Sequence, residues 1–104
     1  MTEQFIRVAK TAELTPGRMR RVDVGNQRIL LANVGGQFYA TDDTCTHEDA
    51  SLSTGFLRHE WVQCPLHGSR FNLRTGQVVD EPADVNLRTY AVRVDGDDVW
   101  LSLA

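Results

Sequence analysis

Apolar positions along the chain fall in short runs broken by glycine and polar clusters, with no sustained helical period. Residues 5–8, Phe-Ile-Arg-Val, open as a strand, and Leu14-Thr15-Pro16-Gly17 follows as a turn. Residues 19–24 alternate imperfectly. Gly25-Asn26-Gln27 then separates them from residues 28–34, which are rich in Ile, Leu and Val. Gly35-Gly36 is a strong two-residue hairpin signal before Gln37-Phe38-Tyr39-Ala40. Near the other end, residues 87–94 and 99–103 flank Asp95-Gly96-Asp97-Asp98, where Asp-Gly supplies the positive φ angles of another hairpin. Arg74-Thr75-Gly76-Gln77 turns a shorter hairpin between residues 71–73 and Val78-Val79. Strands spaced at about 8–12 residues predict an all-β domain, an antiparallel sandwich or barrel.

Two polar, loop-like stretches interrupt this rhythm, residues 42–54 and 63–70. Between them, residues 55–58 and 60–62 read as a small hairpin. The organisation expected is one domain over residues 1–104. A small subdomain at about residues 43–72 is inserted into a β base formed by residues 1–42 and 73–104.

Composition narrows the function. At 104 residues the core is modest, so a metal site that ties loops together would help the chain fold. A net charge of −3 argues against general nucleic-acid binding, and Arg18, Arg20 and Arg21 read as a solvated face. No apolar run approaches the ~20 residues of a membrane span. The first residues lack the basic and apolar regions of a signal peptide. The expected location is therefore the cytoplasm, with no membrane partner. In that reducing compartment two cysteines point to metal ligation or catalysis rather than a disulfide.

Those two cysteines sit in matched settings. Cys45-Thr46-His47 reads C-x-H; after sixteen intervening residues Cys64-Pro65-Leu66-His67 reads C-x-x-H. Two loops meeting tip to tip would each supply one thiolate and one imidazole. Such a set suits zinc, copper or iron–sulfur chemistry. Structural zinc sites usually pair C-x(2–4)-C with H-x(3–5)-H, one ligand type per half. Here both halves are mixed, which disfavours a zinc module without removing it. His59, the remaining histidine, reads as a surface residue.

Cys45-Thr46-His47 with Cys64-Pro65-Leu66-His67-Gly68-Ser69 resembles the paired boxes of Rieske [2Fe–2S] proteins, and the likeness extends over the β-rich flanks and Asp80-Glu81-Pro82-Ala83. The resemblance implies a Rieske-like β fold with an inserted cluster-binding subdomain and one [2Fe–2S] cluster per chain. It also implies that Cys45 and Cys64 bind the buried iron and that His47 and His67 bind the outer one. Two ferric ions, two sulfides and two thiolates sum to zero charge, whereas four thiolates would make a dianion. Histidine ligation therefore raises the potential, to roughly −150 to +300 mV against about −400 mV for plant-type ferredoxins.

Rieske proteins of respiratory and photosynthetic complexes carry an extra disulfide and a tyrosine near the cluster. Here those positions are Ala50, Leu66 and Phe71. With fewer hydrogen-bond donors at the cluster, the expected potential lies toward the lower end of the Rieske range. What remains is similar to soluble ferredoxins of bacterial ring-hydroxylating dioxygenase systems. That likeness implies an electron carrier that is not itself an enzyme. Its implied partners are a flavin-dependent NAD(P)H reductase and a terminal oxygenase. The alternatives are the small subunit of an assimilatory nitrite reductase, a structural zinc interaction module and a redox sensor. Glu48 and Asp49 are candidates for a negatively charged docking rim. Pro65 and Pro82 are expected to stiffen loops over the cluster, and Trp61 and Trp100 to pack rather than relay electrons.

Overall fold

Ten short strands and two single-turn 3₁₀ helices make up the computed structural model, which describes residues 4–47, 49–66, 68–81 and 83–103. Six strands form one antiparallel sheet: β1 (Ile6–Lys10), β2 (Met19–Val24), β3 (Gln27–Val34), β4 (Gln37–Asp42), β9 (Thr89–Asp95) and β10 (Asp98–Ser102). Their order is β1-β10-β9-β4-β3-β2. Four shorter strands form a second sheet in sequence order: β5 (Phe56–Arg58), β6 (Trp61–Gln63), β7 (Arg70–Asn72) and β8 (Val78–Asp80). The smaller sheet thus reaches past residue 72, because Phe71 pairs with Val78 and Arg70 with Asp80.

The turns follow their chemistry. Gly35 and Gly36 both take positive φ, 61° and 98°, and join β3 to β4 through a two-residue loop. At the β9–β10 turn the central pair is Gly96-Asp97, and among the described residues there only Gly96 has positive φ; Asp95 already belongs to the strand. His59 is exposed at the β5–β6 turn with φ 52°, the left-handed region that non-glycine residues rarely adopt.

Two cores lie on opposite faces of β3. Ile29 and Leu31 join Ala9, Val22, Ala40, Tyr90, Val99 and Leu101, so side chains from all six strands of the large sheet meet in one interior. A flat sheet cannot bring them together; the sheet wraps as a barrel does. Leu30 and Ala32, pointing the other way, pack with Cys45, Leu52, Val62, Cys64, Phe71, Leu73 and Leu87. β3 is therefore the shared wall between the barrel and the region that carries both cysteines. On the barrel side, the Tyr90 hydroxyl donates to Asp42 Oδ1 at 2.5 Å. Burial, then Asp42, pushes its pKa up to about 12.

Candidate metal centre

Each cysteine begins a hairpin loop of the same span. The Cys45 N–H donates to the Ala50 carbonyl at 2.9 Å, and the Cys64 N–H donates to the Ser69 carbonyl at 2.8 Å. Residues 45–50 and 64–69 are thus closed by equivalent backbone bonds, five residues apart in each case. In the first loop a bridge between Thr44 and Ser51 continues the pairing below Cys45. In the second, the Gly68 N–H donates to the Cys64 carbonyl at 3.2 Å while Gly68 holds φ at 79°. That angle suits glycine and explains the residue as a turn former.

The placements differ by ligand type. Cys45 and Cys64 are buried, belong to one core, and are not joined in a disulfide. His47 is exposed at the surface. His67 lies outside the described residues, as do Glu48 and Pro82, so the expectations for them fall outside what the structure describes. Among the described residues no group of three or more His, Cys, Asp or Glu is placed to hold a metal ion. The structure therefore brings the two cysteines into one core and leaves His47, two residues after Cys45, at the surface. Buried thiol positions with an outward imidazole fit a cluster that has one iron on the sulfur side and one toward solvent.

The segment following β8 fastens both loops. Thr46 Oγ1 in the first loop donates to the Val85 carbonyl at 2.5 Å. In the second, buried Ser69 Oγ accepts from the Ala83 N–H at 3.0 Å, which leaves the hydroxyl proton to be donated elsewhere. Ala50 is buried in the cysteine-side core, whereas Leu66 is 62% exposed at the tip of the second loop. Phe71 is fully buried and has no hydroxyl to offer. Trp61 packs beneath the Arg70 guanidinium, 4.5 Å from its ring centroid, and Arg70 also pairs with Asp80. Arg21 pairs with Asp23 at 3.1 Å on the exposed face of β2, a surface role for the basic cluster.

Sequence reasoning overlooked one residue. Asp43 is fully buried directly below the first loop. Its Oδ1 accepts the Ser53 N–H at 2.9 Å, and its Oδ2 accepts the Ser51 hydroxyl. The available signal was an acid two positions before a ligand candidate, with serines following the loop; only the fold shows that they meet.

Comparison with known proteins agrees with this geometry. The Rieske [2Fe–2S] domain model matches residues 4–91. The ferredoxin component of biphenyl 2,3-dioxygenase from Rhodococcus jostii (strain RHA1) is 45% identical over 97 residues, covering 93% of this chain and 91% of that protein. The solved complex of reduced oxygenase and oxidized ferredoxin in carbazole 1,9a-dioxygenase contains a chain that superposes with a TM-score of 0.91 at 39% identity, covering 97% of this chain and 94% of the other. A protein described as a nitrite reductase NADPH small subunit gives 0.81 at 26% identity, covering 97% and 99%. With two like loops around buried cysteines, and with relatives of this similarity along nearly its whole length, the chain belongs to the Rieske [2Fe–2S] family and stands among its electron-carrying ferredoxins.

Proposed function

We propose that this protein is a soluble, cytoplasmic carrier of single electrons from a flavin-dependent NAD(P)H reductase to a terminal oxygenase that hydroxylates aromatic rings. Residues 1–104 act as one Rieske domain holding one [2Fe–2S] cluster. Cys45 and Cys64 would hold its buried iron, and His47 and His67 its outer iron. The cluster supplies a one-electron couple; the chain supplies the rest. Its cysteine-side core keeps water from the sulfur ligands, and exposed His47 puts a ligand edge where a partner can reach it. The observation that carries this reading is the pair of equivalent loops with buried Cys45 and Cys64 at their bases. The higher identity to a dioxygenase ferredoxin, 45% against 26% for the nitrite reductase subunit, favours this pathway class.

The direct test is metal and sulfide analysis with redox titration of the purified protein. Two irons and two acid-labile sulfides per chain are expected, with an EPR signal of low average g on reduction. Because Phe71, Ala50 and Leu66 add no donors, the midpoint should fall toward the lower end of the roughly −150 to +300 mV span. A colourless protein with one zinc would overturn the assignment. A midpoint well above zero would overturn the donor argument.

A further inference from the structure

A buried carboxylate is costly unless its oxygens are matched by donors. Asp43 is fully buried, and both of its oxygens are matched from one short turn, the 3₁₀ helix Leu52–Thr54 with its flanking Ser51. Ser51 has a single hydroxyl proton and gives it to Asp43. The contact between Ser51 Oγ and Ser53 Oγ at 2.9 Å is therefore a bond donated by Ser53. The backbone adds two ties: the Asp43 N–H donates to the Arg28 carbonyl at 3.0 Å, and the Leu52 N–H donates to the Asp43 carbonyl at 2.7 Å. Asp43 thus fastens the turn after the first loop to strand β3.

The same turn abuts the second loop. The Gly55 N–H donates to the Leu52 carbonyl at 2.9 Å. A Cβ on Gly55 would stand 2.0 Å from the Gln63 carbonyl oxygen and 3.1 Å from Pro65 Cδ. These residues flank Cys64. A continuous strut therefore runs from β3 through Asp43, Leu52 and Gly55, braced by Ser51 and Ser53, to the Gln63 carbonyl and the Pro65 ring on either side of Cys64. Leu52, at its centre, is fully buried in the core that holds both cysteines.

We propose that Asp43 is a positioning residue that fixes the separation of Cys45 and Cys64 through this strut. The inference rests on the reading of those cysteines as cluster ligands. The partners of Asp43 set the discriminating variants. In Asp43→Asn, the amide oxygen accepts the Ser53 N–H and the amide nitrogen donates to Ser51 Oγ, whose proton turns to Ser53. The strut survives without the charge. Asp43→Ala removes both bonds. Ser51→Ala removes one and leaves the backbone in place.

The experiment compares iron and sulfide retention against a chelator, reduced-state EPR g-values and midpoint potential in wild type and the three variants. Asp43→Ala should lose iron about tenfold faster, with displaced g-values and midpoint. Asp43→Asn should restore the wild-type g-values, and Ser51→Ala should give a smaller displacement than Asp43→Ala. If Asp43→Ala is less heat-stable but keeps wild-type g-values and midpoint, Asp43 is only structural and the proposal fails. It also fails if Asp43→Asn resembles Asp43→Ala, since charge rather than position then matters. Wild-type protein without iron and sulfide would instead remove the ligand reading beneath it.

Discussion

The two cysteine loops share a backbone plan but are held by different means. The first, residues 45–50, rests on side chains: Asp43 below it, Ser51 and Ser53 beside it, and Thr46 reaching across to Val85. The second, residues 64–69, rests mostly on the main chain, with Ser69 Oγ on the Ala83 N–H as a side-chain tie. Gly68 turns it, Gly55 leaves room against the Gln63 carbonyl, and the 64–69 and 68–64 backbone bonds close it. Equal geometry therefore does not imply equal vulnerability. The first loop is the more exposed to loss of a polar side chain, the second to the gain of a single carbon.

Removing the cluster is the largest perturbation of this contrast, because ligand binding and local folding share one free energy. After iron and sulfide are stripped, amide exchange should rise most in residues 64–69 and less in 45–50, where the Asp43 bonds remain. Residues 29–32 of the barrel wall should keep their protection. Equal loss across loops and wall would erase the distinction.

A smaller effect comes from adding one methyl group to either glycine. Gly55→Ala drives its Cβ against backbone and should lower stability by about 3 kcal/mol. At Gly68 the nearest atom is the movable Gln63 Nε2 at 3.2 Å, so the left-handed φ dominates the penalty. Gly68→Ala should lose about 1 kcal/mol. Urea denaturation of the two variants measures the difference, and the reverse order would contradict the packing argument.

Thr46→Val is the mildest test, since it deletes one partly exposed hydrogen bond to the Val85 carbonyl and should lower stability by about 0.5 kcal/mol. It should leave amide exchange in residues 64–69 unchanged. A matching change in both loops would mean that the segment after β8 couples them more tightly than their separate supports do.

Much of this was legible beforehand, for local reasons. The Gly35-Gly36 turn was readable because two adjacent glycines solve a hairpin's φ requirement by themselves. Cys45 and Cys64 stood out because ligand chemistry limits both residue type and spacing, and the fold buries both in one core. Asp43 did not, because its role depends on Ser51 and Ser53 returning beside it through tertiary structure. The hairpin of residues 71–73 with Val78-Val79 was readable from its turn, but not that it carries the small sheet past residue 72. The apolar run in β3 marked a strand, but nothing in its pattern showed that it divides two cores.

That run has a consequence for how the chain finds its alignment. Along a half-exposed strand, a slip of one residue puts apolar groups in water and is rejected. Ile29, Leu30, Leu31 and Ala32 are all fully buried, so a slip would merely exchange the occupants of two greasy compartments. Hydrophobicity gives only weak protection against that error. The information must sit at the strand's ends, where the two-residue turns at Gly25-Asn26 and Gly35-Gly36 lock Val24 opposite Gln27 and Val34 opposite Gln37. Inserting a residue into either turn would let the wall shift by one place and face Leu30 away from the cysteines.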